Sequence, residues 1–245
     1  MSPTLPENNK VNNKQKGGVK KAVVLLSGGL DSATTLYYAR AQGCRCFCLV
    51  FDYGQRHKKE IESAKRIAQR ANCKWQVVKI ILPWKGSSLL DRRISVPRPA
   101  LPAGRQVSRI PSTYVPGRNI IFLSFALSYA EAIKAEAVYI GANAIDYSGY
   151  PDCRPEFYQA FIQAARLGTK AGVEGRPIKI LTPLLTKTKA RIIKLGMSLA
   201  VPYELTWSCY KGSRLPCQKC DSCRFRAKGF REAGLSDPII QYNTL

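Results

Sequence analysis

The chain has 245 residues, 45% of them hydrophobic and 22% charged, and its 39 Lys and Arg against 16 Asp and Glu give a formal net charge of +23. This length and apolar content exclude a mostly disordered chain and suit one α/β domain with a small addition. No apolar run approaches the roughly 18 residues that a membrane span requires, and residues 1–18, MSPTLPENNKVNNKQKGG, lack the apolar segment of a signal peptide. We therefore expect no membrane span, and a flexible basic tail at residues 1–20.

Most of the positive charge lies in three segments. Residues 1–21 carry a net charge of +4, and residues 85–118 and 207–231 carry +6 each. Clustered Lys and Arg are typical of nucleic-acid-binding proteins, but none of these segments has the pattern of one basic helix that enters a groove. The charge leaves two interpretations open, a solvated surface or sites for anions.

Short apolar runs alternate with helical patterns along the chain. This alternation predicts an α/β fold with a parallel sheet covered by helices on both faces. Residues 119–134 are apolar almost all round, so we expect a buried helix there. The predicted strands cover residues 22–26, 44–50, 75–81, 137–140 and 178–181, and the predicted helices cover residues 31–42, 58–72, 119–134, 156–167 and 187–195.

A glycine-containing loop, LSGGLDS, joins the first predicted strand to the first predicted helix. Backbone N–H groups at a helix N-terminus are free to bind an anion, and two glycines let the backbone approach a phosphate closely. The loop lacks the Lys-Ser/Thr ending of a Walker loop and the spacing of the dinucleotide fingerprint. We therefore predict a different type of phosphate site, formed by Leu26, Ser27, Gly28, Gly29, Leu30, Asp31 and Ser32.

Nine cysteines and a single histidine, His57, define a second feature of the sequence. Four of the cysteines have the spacing C-x7-C-x2-C-x2-C, which suits a structural tetrahedral zinc site, although an iron–sulfur cluster uses similar ligands. An odd number of cysteines argues against a disulfide framework and indicates a reducing, cytoplasmic location. The predicted metal ligands are Cys209, Cys217, Cys220 and Cys223.

The phosphate loop resembles the SGGxDS loop of the ATP pyrophosphatase (PP-loop) superfamily. Taken as a whole, the chain resembles the 7-cyano-7-deazaguanine synthase family, of the QueC type. The segments that carry this resemblance are LSGGLDS (26–32), FDYGQRH (51–57), YVPGRNIIFLSFA (114–126), GANAIDYSGYPDCRPEF (141–157), TPLLTKTKA (182–190), TWSCYKG (206–212) and CQKCDSCRFRAKGF (217–230).

The resemblance implies a fold, a reaction and partners. The fold would be Rossmann-like, of the adenine nucleotide alpha hydrolase type, with an ATP-binding domain at residues 21–206 and a zinc-binding segment at residues 207–245 packed on it. The reaction would convert 7-carboxy-7-deazaguanine, ammonia and two ATP into 7-cyano-7-deazaguanine, a precursor of queuosine and archaeosine. Mg²⁺ would accompany ATP, the zinc would be structural, the chain would form a homodimer, and direct binding of nucleic acid would not be required.

The resemblance also guides the assignment of catalytic residues. Asp31 would contact the magnesium on the pyrophosphate, and Ser32 belongs to the same loop. Arg118 is a candidate for contact with the substrate carboxylate or an ATP phosphate. Lys187 would open the helix after TPLLT and lie near ATP phosphate. A lysine in a first turn is otherwise unfavourable beside the helix dipole, which supports an anion there.

Several further residues are predicted to contact the substrate. Tyr53 and Gln55 follow the second strand, at the sheet edge where ligands bind in open α/β sheets. Carboxylates could accept hydrogen bonds from the guanine-like N–H edge. The predicted substrate contacts are Tyr53, Gln55, Arg118, Asn119, Asp146, Asp152, Arg154 and Glu156.

Two other functions remain open at this point. A PP-loop enzyme that modifies tRNA, by thiolation or lysidine formation, would share the loop and explain the basic surface. A zinc-ribbon nucleic-acid-binding protein would explain the charge, but it would leave LSGGLDS and DYSGYPDCRPEF without a role.

Overall fold

The fold is centred on one parallel five-stranded sheet. A computed structural model describes residues 20–84, 86–91, 93–95, 110–145 and 149–241. The strand order is β3-β2-β1-β4-β5, with every neighbouring pair parallel. The strands are β1 (Lys21–Leu25), β2 (Arg45–Asp52), β3 (Lys74–Lys79), β4 (Ala137–Ile140) and β5 (Lys179–Leu181).

Eight α-helices lie in the described ranges. The α/β class and the five predicted strands are confirmed, and two further helices lie in the C-terminal segment. The helices are α1 (Leu30–Ala41), α2 (Lys59–Arg70), α3 (Arg118–Ala132), α4 (Pro155–Gly168), α5 (Lys170–Val173), α6 (Lys189–Ser198), α7 (Asp221–Ala233) and α8 (Pro238–Gln241). Within the part of the chain that the structure describes, no helix has both the length and the apolar character needed to cross a membrane.

Both faces of the sheet carry a hydrophobic core. Strand β1 lies in the middle of the sheet, so its alternate side chains enter opposite cores: Val24 packs on the side of α1, α2 and α6, and Val23 packs on the side of α3 and α4. Cys46 and Cys48 belong to the first core and Cys44 packs against it, so these three cysteines share one face of the sheet. A strand covered on both faces is apolar without alternation, as the sequence of β1 is.

Helix α3 differs from the prediction that it is buried all round. Ile120 is 47% exposed and Phe125 is 45% exposed, whereas Leu123 and Ala126 are fully buried. The helix covers one face of the sheet with one side only. Its apolar outer side therefore faces away from the core.

The C-terminal segment packs on helix α6. A Cβ atom at Gly229 of α7 would lie 2.3 Å from Cγ of Lys189, so the missing side chain lets the two helices approach closely. Phe230 enters the core beneath the sheet. The buried Arg226 guanidinium donates to both carboxylate oxygens of Asp237, at 2.7 and 2.8 Å, which ties α7 to the turn before α8.

The topology places a crevice at the carboxyl end of β1. The chain builds β2 and β3 on one side of β1 and then crosses to β4 and β5 on the other side. In open α/β sheets, ligands bind where the order of strands reverses in this way. The loops after β1, β2 and β4 line a cavity at this point.

Candidate active site

The phosphate loop is held by its own serine side chains. The Ser27 hydroxyl donates to Oγ of Ser32 at 3.0 Å, and the Ser32 hydroxyl donates to the Gly29 carbonyl at 3.0 Å. Gly28 has a φ of +85°, and a Cβ atom there would lie 2.2 Å from the Glu60 carbonyl oxygen. Only glycine fits this conformation and this contact with α2.

Helix α1 begins directly at the loop. Its N-cap, Gly29, provides no capping side chain, so the first N–H groups of the helix are open to a ligand. Gly141, after β4, packs against this first turn, because a Cβ atom there would lie 2.9 Å from the Asp31 carbonyl carbon. Two loops from neighbouring strands thus converge on one helix N-terminus, which suits a phosphate group.

A buried ion pair lies at the same turn. Lys189 Nζ is 2.7 Å from both carboxylate oxygens of Asp31, and both residues line the cavity. Helix α6 begins at Lys189, not at Lys187, because the Thr188 side chain caps it by accepting a hydrogen bond from the Arg191 N–H. The prediction that Lys187 opens the helix is therefore wrong. Lys187 is not among the lining residues, and its carbonyl accepts a hydrogen bond from Asn143.

Arg118 and Asn119 begin helix α3 and line the cavity. The Arg118 guanidinium lies against the Tyr53 hydroxyl and forms no ion pair with any residue in the described ranges. The Asn119 N–H donates to Oδ2 of Asp152 at 3.0 Å, and the Asn119 side chain donates to the Asp152 carbonyl at 2.9 Å. Asp152 thus caps α3 and fixes the position of Arg118.

Aromatic side chains at the end of β2 and on α3 form one wall of the cavity. Phe51 stacks on Phe122 of α3, with ring centroids 4.0 Å apart, and Tyr53 meets Phe122 edge-on at 5.4 Å. Gln55 also lines the cavity, but both ends of its amide bind backbone, at Tyr53 N and Phe51 O. This wall offers a flat apolar surface for a heterocyclic ring.

Three of the predicted substrate contacts in the described ranges, Arg154, Glu156 and Asp152, do not line the cavity. Arg154 and Glu156 are exposed and do not line the cavity. Asp146 lies outside the described residues. Asp152 is buried behind the cavity wall, where its interactions with Asn119 account for its position.

Glu60 is an acidic group of the cavity that no sequence motif indicated. It lies in the first turn of α2 and lines the cavity beside Arg118. Burial raises the pKa of the Glu60 carboxyl to about 7, and the positive charge of Arg118 opposes part of that rise. Burial likewise raises the pKa of the Cys153 thiol to about 11, which leaves that cysteine a neutral thiol at physiological pH.

The four predicted metal ligands converge. Their sulfur atoms all lie within 4.8 Å of one another. Backbone N–H groups of Lys211 and Cys217 point to Sγ of Cys209, at 3.4 and 3.3 Å, and the Cys220 N–H points to Sγ of Cys217 at 3.4 Å. Such contacts stabilise thiolates, so the residues fit a tetrahedral metal ion.

The cysteine segment also contacts the phosphate loop. The Trp207 N–H donates to the Gly28 carbonyl at 2.9 Å, and the Trp207 indole N–H donates to the Cys209 carbonyl at 2.9 Å. Lys59 of α2 lies 4.3 Å from the centroid of the Trp207 ring. A single residue therefore connects the four-cysteine cluster to the loop.

Comparison with known proteins places this arrangement in a family. The family model of the queuosine biosynthesis protein QueC matches residues 21–234, which include the loop, the cavity and the four cysteines. The chain belongs to the QueC family. The resemblance to this family that the sequence motifs indicated is thereby confirmed.

QueC relatives resemble the chain over nearly their whole length. A 7-cyano-7-deazaguanine synthase from Nostoc punctiforme is 56% identical over 222 residues, covering 90% of this chain and 99% of that one. The synthase of the same name from Acetivibrio thermocellus is 53% identical, with coverages of 90% and 97%. Among solved structures, a 4-thiouridine synthetase in complex with RNA and ATP has 17% identity and a TM-score of 0.49, covering 86% of this chain and 53% of that one.

Proposed function

We propose that this QueC-family chain converts 7-carboxy-7-deazaguanine and ammonia into 7-cyano-7-deazaguanine, at the cost of two ATP. The observation that carries this proposal is sequence identity. The chain is more than 50% identical, over nearly the full length of both chains, to relatives named for this synthase. The cavity agrees with it, because a phosphate loop, a guanidinium without an ion-pair partner in the described ranges and an aromatic wall surround one space.

The proposed chemistry explains why a single phosphate loop can serve both ATP-dependent steps. A carboxylate resists attack because its oxygen is a poor leaving group, so transfer of AMP to that oxygen activates it. Ammonia then displaces AMP and leaves an amide. A second transfer of AMP, to the amide oxygen, allows elimination to the nitrile.

We assign the phosphates of ATP to the loop and the N-terminus of α1. Leu26–Ser32 supplies backbone N–H groups, and Lys189 supplies a positive charge at the same turn. Preorganised charges of this kind stabilise the negative charge that develops during phosphate chemistry. Arg118, which has no ion-pair partner among the described residues, is the proposed contact of the substrate carboxylate.

The two metals have different proposed roles. Asp31 would hold the Mg²⁺ that accompanies ATP, since its carboxylate lies at the loop and faces the cavity. Bound Mg²⁺ offsets the negative charge of the phosphates. The four cysteines would hold a structural zinc ion, because a site with four thiolates has no open position for water.

The remaining contacts are also proposals. Tyr53 and the aromatic wall would pack on the deazaguanine ring, and Asp146 stays a proposed partner of its N–H edge. Asp152 is already used to cap α3, and Arg154 and Glu156 are exposed, so we no longer assign these three to the substrate. Lys187 is replaced by Lys189 as the lysine at the phosphates.

We further propose a homodimer in a reducing, cytoplasmic compartment. The exposed Ile120 and Phe125 on α3 and Trp75 on the edge strand β3 offer apolar surface for a second copy. None of the nine cysteines forms a disulfide. Sedimentation of the purified chain at micromolar concentration would give the mass of two chains.

The test is a reconstituted reaction. The purified protein is incubated with ATP, magnesium, an ammonium salt and 7-carboxy-7-deazaguanine, and the products are separated by mass spectrometry. We expect the nitrile together with AMP and pyrophosphate. Absence of turnover, with tight and salt-sensitive binding of tRNA instead, would refute the proposal and favour a tRNA-modifying enzyme.

A further inference from the structure

We propose that the Glu60 carboxylate is the general base of the reaction, which removes the protons of the attacking nitrogen as the amide and then the nitrile form. This inference rests on the proposed function and assigns to it a residue outside the phosphate loop. A general base is needed because ammonia loses one proton when it forms an amide, and the amide nitrogen loses its two remaining protons when it forms a nitrile.

The position of Glu60 supports this role. The first turn of α2 packs directly on the phosphate loop, since a Cβ atom at Gly28 would lie 2.2 Å from the Glu60 carbonyl oxygen. The side chain lines the cavity, with Arg118 as its strongest electrostatic neighbour. If Arg118 binds the substrate carboxylate, Glu60 lies next to the carbon that nitrogen attacks.

The Glu60 carboxylate is also free to act. It accepts no hydrogen bond and forms no ion pair with another residue of the described ranges, whereas Asp31, the second acidic residue described in the cavity wall, is held by Lys189. Its raised pKa, about 7, is suited to accepting a proton near neutral pH and returning it to water.

Other titratable groups of the described wall are less suitable. Cys153 stays a neutral thiol, and burial raises the pKa of the Tyr53 hydroxyl, so neither provides a base at neutral pH. His57 also lines the cavity, but its Nδ1 atom is buried out of reach of a ligand, and its ring packs against Gly212 and edge-on to Trp207. Among these described groups, Glu60 is therefore the best candidate for the general base.

The proton balance fits one base. In the first half-reaction the C–N bond forms, the C–O bond to AMP breaks with its electron pair leaving on AMP, and one N–H proton of ammonia passes to Glu60. In the second, the adenylated amide loses one proton to give a neutral imidate. It loses the last proton as the C–O bond to AMP breaks and the C≡N bond is completed. Glu60 passes each proton to water.

The experiment separates activation of the carboxylate from attack by nitrogen. Exchange of labelled pyrophosphate into ATP, measured with 7-carboxy-7-deazaguanine and no ammonia, reports adenylation. Hydroxylamine traps the adenylate as a hydroxamate without strong base catalysis, because its protonated adduct is far more acidic than that of ammonia. The ammonia reaction reports both steps.

We expect Glu60→Gln to retain exchange and hydroxamate formation within about 3-fold, and to lose about 100- to 10,000-fold in amide and nitrile formation, the usual range for a general base. Glu62→Gln is the matched control, since Glu62 lies on the exposed side of the same turn. It should behave like the unmodified protein. Circular dichroism and metal content establish that each variant folds.

Three results would overturn the assignment. These are unchanged nitrile formation by Glu60→Gln, equal loss of exchange and nitrile formation, and a raised KM for the deazaguanine with kcat preserved. If Glu60→Gln does not fold, Glu60→Asp retains the carboxylate at a shorter reach, and the same selective loss in the ammonia reaction is expected. Failure of the unmodified protein to make nitrile would refute the proposed function instead.

Discussion

Lys189 Nζ lies 2.7 Å from both carboxylate oxygens of Asp31, although 158 positions separate the two residues in sequence. Only 9% of the lysine side chain and 16% of the aspartate side chain are exposed. The first turn of α6 and the first turn of α1 thus meet at the phosphate loop. A positive charge is fixed there before any ligand arrives, which lowers the cost of reorganisation during phosphate chemistry.

Replacing this lysine should reduce catalysis strongly. We expect Lys189→Met to lower kcat/KM for ATP by about 100- to 1,000-fold, as loss of one preorganised charge does. Lys187→Met should cost less than about 5-fold, because Lys187 does not line the cavity. Lys194→Met, on the exposed side of the same helix, is the control. The assignment of Lys187 from sequence predicts the opposite order of the first two variants.

Asp31→Asn should abolish ATP consumption while the metal content stays unchanged. The amide keeps the size of the side chain but removes the charge that pairs with Lys189 and that would hold Mg²⁺. Release of pyrophosphate and metal analysis of the same preparation measure the two properties. Full activity of this variant would contradict the role given to the loop.

Gly28→Ala should remove ATP binding. The added Cβ would collide with the Glu60 carbonyl at 2.2 Å, so either the loop or α2 must move. Gly43→Ala is a matched control, because Gly43 also has a positive φ, +78°, but nothing lies within 4 Å of an added Cβ. The control should lose about 1 kcal/mol of stability from backbone strain alone, and keep its ATP affinity in calorimetry.

Loss of the metal should disturb the phosphate loop as well as the C-terminal segment. Trp207 joins Cys209 to Gly28 through two hydrogen bonds, so release of the cysteine cluster frees the loop on that side. We expect Cys217→Ser to lose the metal, to unfold at lower temperature and to bind ATP more weakly. Cys44→Ser, at a half-buried cysteine outside the cluster, should keep the metal. A soluble, active and metal-free Cys217→Ser protein would disprove a structural site.

The pH dependence of stability should change in Glu60→Gln. The pKa of Glu60 is about 7 in the folded chain and near 4.5 when unperturbed, so the folded state binds more protons between these values. The free energy of unfolding therefore falls as pH rises from about 4.5 to 7. Because glutamine does not titrate, the stability of Glu60→Gln relative to the unmodified protein should rise between pH 5.5 and pH 8. Urea unfolding at both values measures this difference.

The sequence predicted the sheet well because its strands are apolar runs bounded by turns. The sequence pattern does not distinguish Lys187 from Lys189 as the first residue of the helix, because Thr186 and Thr188 both precede a lysine and both suit an N-cap. The structure selects Thr188. Sequence spacing also gave no reason to prefer Glu60 over Glu62, since the packing of α2 decides that Glu60 lines the cavity and Glu62 is exposed.

Helix α3 illustrates a second limit of sequence analysis. An apolar pattern on all sides indicates burial but does not say what covers each side. Leu123 packs on the sheet, whereas Phe125 is left half-exposed in the single chain. The same pattern suits a helix covered by its own domain and a helix covered by a second copy.

The most direct test of the central claim is the stoichiometry of the complete reaction. The purified protein, with its metal bound, is given 7-carboxy-7-deazaguanine, excess ammonium and ATP, and nitrile, amide, AMP and pyrophosphate are quantified over time. We predict two AMP and two pyrophosphate for each nitrile, with the amide rising and falling before the nitrile accumulates. Formation of ADP and phosphate, or consumption of ATP without nitrile, would contradict the account.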